Sequence, residues 1–157
     1  MREDNNGAGV KFPPPLVFVL AIAAGVALNY LMPLAITHTA VVILQSIGGF
    51  ILLLCTLLIA ISLIQFRRAK TSIEPWKPTS HIISSGVFGI TRNPIYLAFV
   101  GIDLAVALLL NNVWMLITLA PAIWLIKTFV IDREERYLSE KFTDEYTQYC
   151  AKVRRWL

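Results

Sequence analysis

Five consecutive residues, Arg92-Asn93-Pro94-Ile95-Tyr96, put a guanidinium, an amide and a phenol at the mouth of an apolar run, and Glu134-Glu135 answer them after the next apolar run. A guanidinium pairs with a carboxylate, a glutamate accepts from an amine or a hydroxyl, and a tyrosine ring can face a cation. Such a set suits a small ligand that carries both charge signs. Its place at the ends of apolar runs predicts an active site at a membrane surface.

The elements that must position these residues are set by composition. Hydrophobic residues make up 57% of the chain and charged residues 15%, so a water-soluble domain with an ordinary polar surface is excluded. Apolar runs cover about residues 16–36, 40–66, 95–110 and 113–131, and at about 1.5 Å per residue all but the third reach roughly 30 Å, the thickness of a hydrocarbon core. The expected fold is all-α, an integral membrane protein of about four transmembrane helices. The 67–94 connection and a C-terminal helical arm, residues 132–157, form a cap. Residues 1–15 read as a flexible N-terminal segment and 16–157 as a single membrane domain. The first run is too long for a cleavable signal and is read as a retained span.

Basic residues fix the expected orientation. Arg67, Arg68, Lys70, Lys77 and Arg92 fall in the middle connection, and Arg133, Arg136, Lys141, Lys152, Arg154 and Arg155 in the tail, whereas 33–39 and Asn111-Asn112 carry none. Both termini are therefore expected in the cytoplasm, with the protein in the plasma (inner) membrane of a bacterium. The net charge of +4 is a topology signal and an attraction to membrane lipids, and no nucleic-acid partner is expected. Cys55 and Cys150 have no metal-binding spacing, and His81 with only His38 for company makes no metal site.

Asn111-Asn112 is a tight hairpin, so the third and fourth runs must be antiparallel neighbours. Counting outward from it returns Arg92–Tyr96 and Lys127–Glu135 to one depth. The two polar clusters are expected to meet. No break separates the fourth run from the tail, which offers Asp132 with Arg136, Arg136 with Glu140 and Lys141 with Glu145 at i,i+4, and sets Leu138, Phe142 and Tyr146 on one face. Asp103, mid-run, must face the bundle or hold its proton, Lys127 lies too near the surface to pair with it, and Pro121 is expected to kink the fourth helix.

Each residue alone has an ordinary explanation: Arg92 as a positive-inside anchor, Tyr96 as an interfacial aromatic, and Glu134 and Glu135 as a solvated helix face. The joint pattern is more specific. Trp76-Lys77-Pro78-Thr79-Ser80-His81-Ile82-Ile83-Ser84-Ser85-Gly86-Val87-Phe88 precedes the arginine cluster, and Glu134-Glu135-Arg136-Tyr137-Leu138, Phe142, Tyr146, Tyr149 and Val153-Arg154-Arg155-Trp156 follow it. Over residues 74–157 this resembles the isoprenylcysteine carboxyl methyltransferase and phospholipid methyltransferase superfamily.

The resemblance implies a membrane enzyme that takes S-adenosyl-L-methionine from the cytoplasm and methylates a lipophilic substrate entering from the bilayer, such as an isoprenylcysteine carboxylate or a phospholipid amine. It implies cofactor contacts from His81, Ile83, Gly86, Arg92, Asn93, Pro94, Tyr96, Glu134 and Glu135, with Arg92 and Glu135 closest to the chemistry. Departures are Asn93 where many relatives carry His, Ala98 where Gly often follows the Tyr, and Thr143 where Gly usually follows Phe142. Competing readings are a sterol-reductase-type membrane enzyme, for which the chain is short, and a four-helix exporter without enzymatic activity, for which the first run lacks an acidic residue. The residues do not specify an oligomeric state or a methyl acceptor.

Overall fold

The computed structural model describes residues 7–157, so the first six residues of the expected flexible segment lie outside it. The regular structure of the described residues is helical: α1 (Pro14–Leu31), α2 (Val41–Ala69), a short 3-10 turn (Gly86–Gly89), α3 (Pro94–Leu109), α4 (Val113–Ile126), a π-helical segment (Lys127–Ile131) and α5 (Asp132–Lys152). α1, α2 and the continuous helix that starts at Val113 are long and apolar enough to cross a membrane, and α3 is a shorter apolar helix. Tyr30, Val42, Ile43 and Phe50 are exposed, as side chains facing lipid should be. The chain is an integral membrane protein. The contacts of the described residues resolve into two compact units, residues 7–12, 58–95 and 127–157 in one, and 13–57 and 96–126 in the other.

The second unit is packed as membrane helices must be, through small residues and backbone-directed polar groups. A Cβ at Gly25 of α1 would stand 2.6 Å from the Met115 side chain of α4, and one at Gly48 of α2 would stand 2.9 Å from the Ala105 carbonyl of α3. Glycine permits both close approaches. Thr118 donates to the Ala21 carbonyl across 2.9 Å, and the Phe18 and Phe99 rings lie 5.5 Å apart. The Asn111-Asn112 hairpin forms as expected: Asn111 adopts φ 52°, and Asn112 accepts from the Met115 amide to cap α4. Asn111 also exchanges two hydrogen bonds with the Thr37 backbone, so the two loops at this end of the helices are tied together.

Asp103 is buried, in line with the need to turn a carboxyl away from lipid. Other expectations change. α1 stops at Leu31, five residues early, because Met32 and Pro33 lead into a connector whose Ala35 pairs with Asn112. α4 carries Pro121 and stays helical to Ile126; the departure from α geometry falls instead at Lys127–Ile131. A π turn holds an extra residue, which rotates all that follows it, and such turns recur at functional sites. Asp132, Glu134 and Glu135 come next in the chain.

Candidate active site

In the first unit lies a cavity with about 780 Å³ of space between atoms, the open solvent at its mouth included. Its wall is drawn from the last turn of α2, the connection to the 3-10 turn, the residues before α3, and α5. Of the residues singled out in sequence, His81, Ile83, Arg92, Asn93, Glu134 and Glu135 line it. Gly86, Pro94 and Tyr96 are not part of the wall. Gly86 has φ +60°, and a Cβ there would run into the Gln65 side chain. Gln65 holds this turn from both sides, donating to the Ser85 carbonyl at 3.1 Å and accepting from the Val87 amide at 3.3 Å. Pro94 is fully buried and opens α3, where its fixed φ suits a first helical residue. Tyr96 stands in the first turn of α3.

The charged end of the cavity is organised round Glu135. Arg155 meets its carboxylate with both Nε (3.0 Å) and Nη2 (2.5 Å), and Arg92 approaches it at 3.3 Å. The Glu135 bonds push Arg155 above the usual arginine range. Arg155 also reaches Asp132 at 3.3 Å, and Lys127 lies 3.6 Å from the other oxygen of that carboxylate. Asp132 thus turns to Lys127 and Arg155, although i,i+4 spacing pointed to Arg136. The wider π turn sets Lys127 and Asp132, five residues apart, on one face.

Arg155 comes from beyond α5 because the chain end runs alongside the residues before α3. Thr91 and Arg154 form a parallel bridge, the Arg92 amide donates to the Arg154 carbonyl at 3.0 Å, and the Thr91 hydroxyl and Asn93 amide both donate to the Arg155 carbonyl. Asn93, whose neutral amide replaces a titratable histidine, acts here as a backbone staple.

The contacts of the Arg92 side chain gather on Nη1. Nη1 donates to the Tyr146 hydroxyl and the Cys150 sulfur, while Nε is buried with no partner. A buried, unpaired guanidinium nitrogen is costly, and it marks a place where a ligand oxygen would be welcome. Tyr146 and Tyr149 form the floor with Phe88, and the Tyr149 hydroxyl donates to the Phe88 carbonyl at 2.6 Å. Burial pushes the Tyr149 phenol up to about 12, and burial together with the Glu135 charge pushes Tyr146 up as well. Both remain neutral at physiological pH, Tyr149 donating to Phe88 and Tyr146 accepting from Arg92. Leu138 and Phe142 pack with Ile82 against the Tyr146, Tyr149 and Val153 cluster, so the expected apolar face of α5 is the seam that attaches it.

Ala8, Glu74, Thr79, Tyr137, Tyr146 and Tyr149 also stand round the cavity, and Arg155 orders it from behind. The terminal Y-x-x-Y with Arg155-Trp156 was the available sequence signal for the last three; for Ala8 there was none.

The first unit thus holds a polar, aromatic-walled cavity lined by an arginine and two adjacent glutamates, a donor and acceptor set suited to a small ligand of mixed charge. The sequence model of the phospholipid methyltransferase family matches residues 44–145, and the chain belongs to that family, a family of membrane methyltransferases. An uncharacterized protein of Haemophilus influenzae is 46% identical over 63 residues, which are 40% of this chain and the whole of that protein. The protein-S-isoprenylcysteine O-methyltransferases of Schizosaccharomyces pombe and Saccharomyces cerevisiae are 28% identical over 100 residues and 35% identical over 82 residues. These alignments take in 57% and 52% of this chain but only 42% and 34% of the two yeast enzymes. No solved structure matches.

Proposed function

We propose that this protein binds S-adenosyl-L-methionine in the Arg92–Glu134 cavity and methylates a lipophilic acceptor that arrives through the bilayer, an isoprenylcysteine carboxylate or a group like it. The observation that carries this reading is the buried Arg92 Nε, without a hydrogen-bond partner, in a cavity that also presents Glu134. The cofactor fits that donor set. Its carboxylate matches Arg92, its ammonium or ribose hydroxyls match Glu134, and Phe88, Tyr137 and Ile83 offer apolar and aromatic wall to the adenosine. When bound, S-adenosylmethionine supplies an electrophilic methyl carbon on a sulfonium.

The residues of the chain then bind, orient and exclude water, which is most of what a methyl displacement requires. Glu135 and the Tyr146 hydroxyl together keep Arg92 in place, both through its Nη1. A carboxylate acceptor needs no general base. The second reading, a phospholipid amine N-methyltransferase, is favoured by the description of the matching family, and an amine would have to lose a proton, for which His81 and Glu134 are in the cavity. The basic residues of the 67–94 connection and the tail support a cytoplasmic cap and cytoplasmic termini in a bacterial inner membrane, among anionic lipids.

The test uses purified protein in detergent micelles. Wild type should bind S-adenosylmethionine saturably, and Arg92→Ala or Glu134→Gln should weaken binding about 10-fold or more, the loss of a charge-assisted hydrogen bond. Label from the methyl group should pass to a prenylated cysteine and not to a phosphatidylethanolamine; the opposite preference selects the amine reading. Binding of a nicotinamide dinucleotide in place of S-adenosylmethionine would overturn both.

A further inference from the structure

The first described residues, Gly7-Ala8-Gly9-Val10, lie on the cavity. Ala8 is part of its wall, and its amide donates to the Pro75 carbonyl at 2.8 Å, while Pro75 and Glu74 line the same end. Arg133, in the first turn of α5, donates to the Gly9 carbonyl at 3.1 Å, and Val10 is buried. The segment is therefore held at three successive residues, from two different elements of the unit.

Its sequence is made for this. Gly7 and Gly9 have φ of +51° and +65°, values that residues with a Cβ avoid. A Cβ at Gly7 would lie 2.6 Å from the Lys77 carbonyl oxygen and 2.7 Å from the Trp76 carbonyl carbon, backbone atoms that cannot swing aside. Two glycines round one alanine let a turning segment lie close against residues 74–77. Little apolar area is buried here apart from Val10, and the hydrogen bonds are few, so the contact can open without unfolding the unit.

We propose that residues 7–10 are a strap that closes the cavity and sets the rate at which its occupant leaves. The inference rests on the proposed cofactor site for the identity of the occupant. Like other short closing segments, such a strap would govern exchange more than equilibrium stability. Opening it gives the Glu74–Thr79 end of the cavity to solvent, and closing it adds Ala8 as the missing wall.

The test compares the full chain with Gly7→Val, which cannot seat against Lys77, and Ala8→Pro, which has no amide to give Pro75. Dissociation of labelled S-adenosylmethionine, chased with unlabelled compound, should be about tenfold faster in both variants, consistent with one or two lost hydrogen bonds. Their thermal midpoints should stay at the wild-type value. A second readout needs no cofactor: Ser72→Cys, placed on the cavity wall, should react with a small maleimide faster when combined with Gly7→Val than alone, read by mass spectrometry at residue 72. Equal labelling rates overturn the strap whether or not wild type binds S-adenosylmethionine. Failure of wild type to bind, with faster labelling in the double variant, keeps the strap and overturns the cofactor.

Discussion

Glu135→Gln keeps the shape of the side chain and removes the one charge on which two guanidinium groups converge. Arg155 and Arg92 both lie within 3.3 Å of that carboxylate, so the variant leaves two cations facing a neutral amide. At a separation of roughly 6 Å and an effective dielectric near 20 their repulsion is about 3 kcal/mol before relaxation. The side chains of Glu135, Arg92 and Arg155 are 18%, 15% and 31% exposed, which sets the cluster between a surface pair and a buried one. Truncation should cost about 2–3 kcal/mol, above the 0–1 of exposed pairs and below the 3–5 of fully buried ones. For a chain of this size that is a fall of roughly 5–10 °C in the thermal midpoint, measured in micelles. Affinity for S-adenosylmethionine should fall as well, because Arg92 loses its anchor. Glu134→Gln supplies the contrast: it should weaken binding without leaving two guanidinium groups facing each other, so its fall in midpoint should be smaller than that of Glu135→Gln. In a double-mutant cycle Glu135→Gln and Arg155→Met should couple by about 2 kcal/mol, since removing one cation relieves the repulsion left by the other substitution. A Glu135→Gln protein that melts within about one degree of wild type, with costs that simply add to those of Arg155→Met, would refute the idea that Glu135 is the hub.

Three further outcomes follow from backbone and burial. Gly86→Ala should destabilise by about 2 kcal/mol, through a positive φ and displacement of Gln65 from Ser85 and Val87, and its cost in chemical denaturation should overlap with that of Gln65→Ala and not add to it. Thr143, a β-branched residue at φ 37° and ψ −98° inside α5, stores strain, so Thr143→Gly should raise the thermal midpoint by the equivalent of about 1 kcal/mol; a lowered midpoint would show that the threonine side chain matters more than its backbone. The Tyr149 phenol holds its proton more tightly folded, at about 12, than the ordinary 10, so its contribution is complete below pH 10 and is lost as pH rises toward 12. Unfolding followed across that window should lose about 2–3 kcal/mol of stability in wild type and less in Tyr149→Phe.

What the sequence made legible is what side-chain type alone encodes. Apolar runs announce helices in lipid, paired asparagines announce the hairpin, and clustered charge announces the polar end, so Arg92 could be expected to meet the Glu134-Glu135 pair before any coordinates existed. Features carried by the backbone left no such trace. The π turn at Lys127–Ile131 is a change in hydrogen-bond register with no residue signature, and it brings Lys127 alongside Asp132. The parallel bridge of Thr91 to Arg154 joins main chains, so the residues paired there are not marked by their side chains. The glutamates show why a motif could name a pair without dividing its work. Neighbours on a helix point about 100° apart, so two adjacent carboxylates cannot both turn to the same partner. Arg155 and Arg92 converge on Glu135, while Glu134, about 100° round the helix from it, stands on the cavity wall. In the proposed site Glu135 is thus the charge that organises the two arginines, and which of the two glutamates takes that place is set by where the π turn leaves α5 facing.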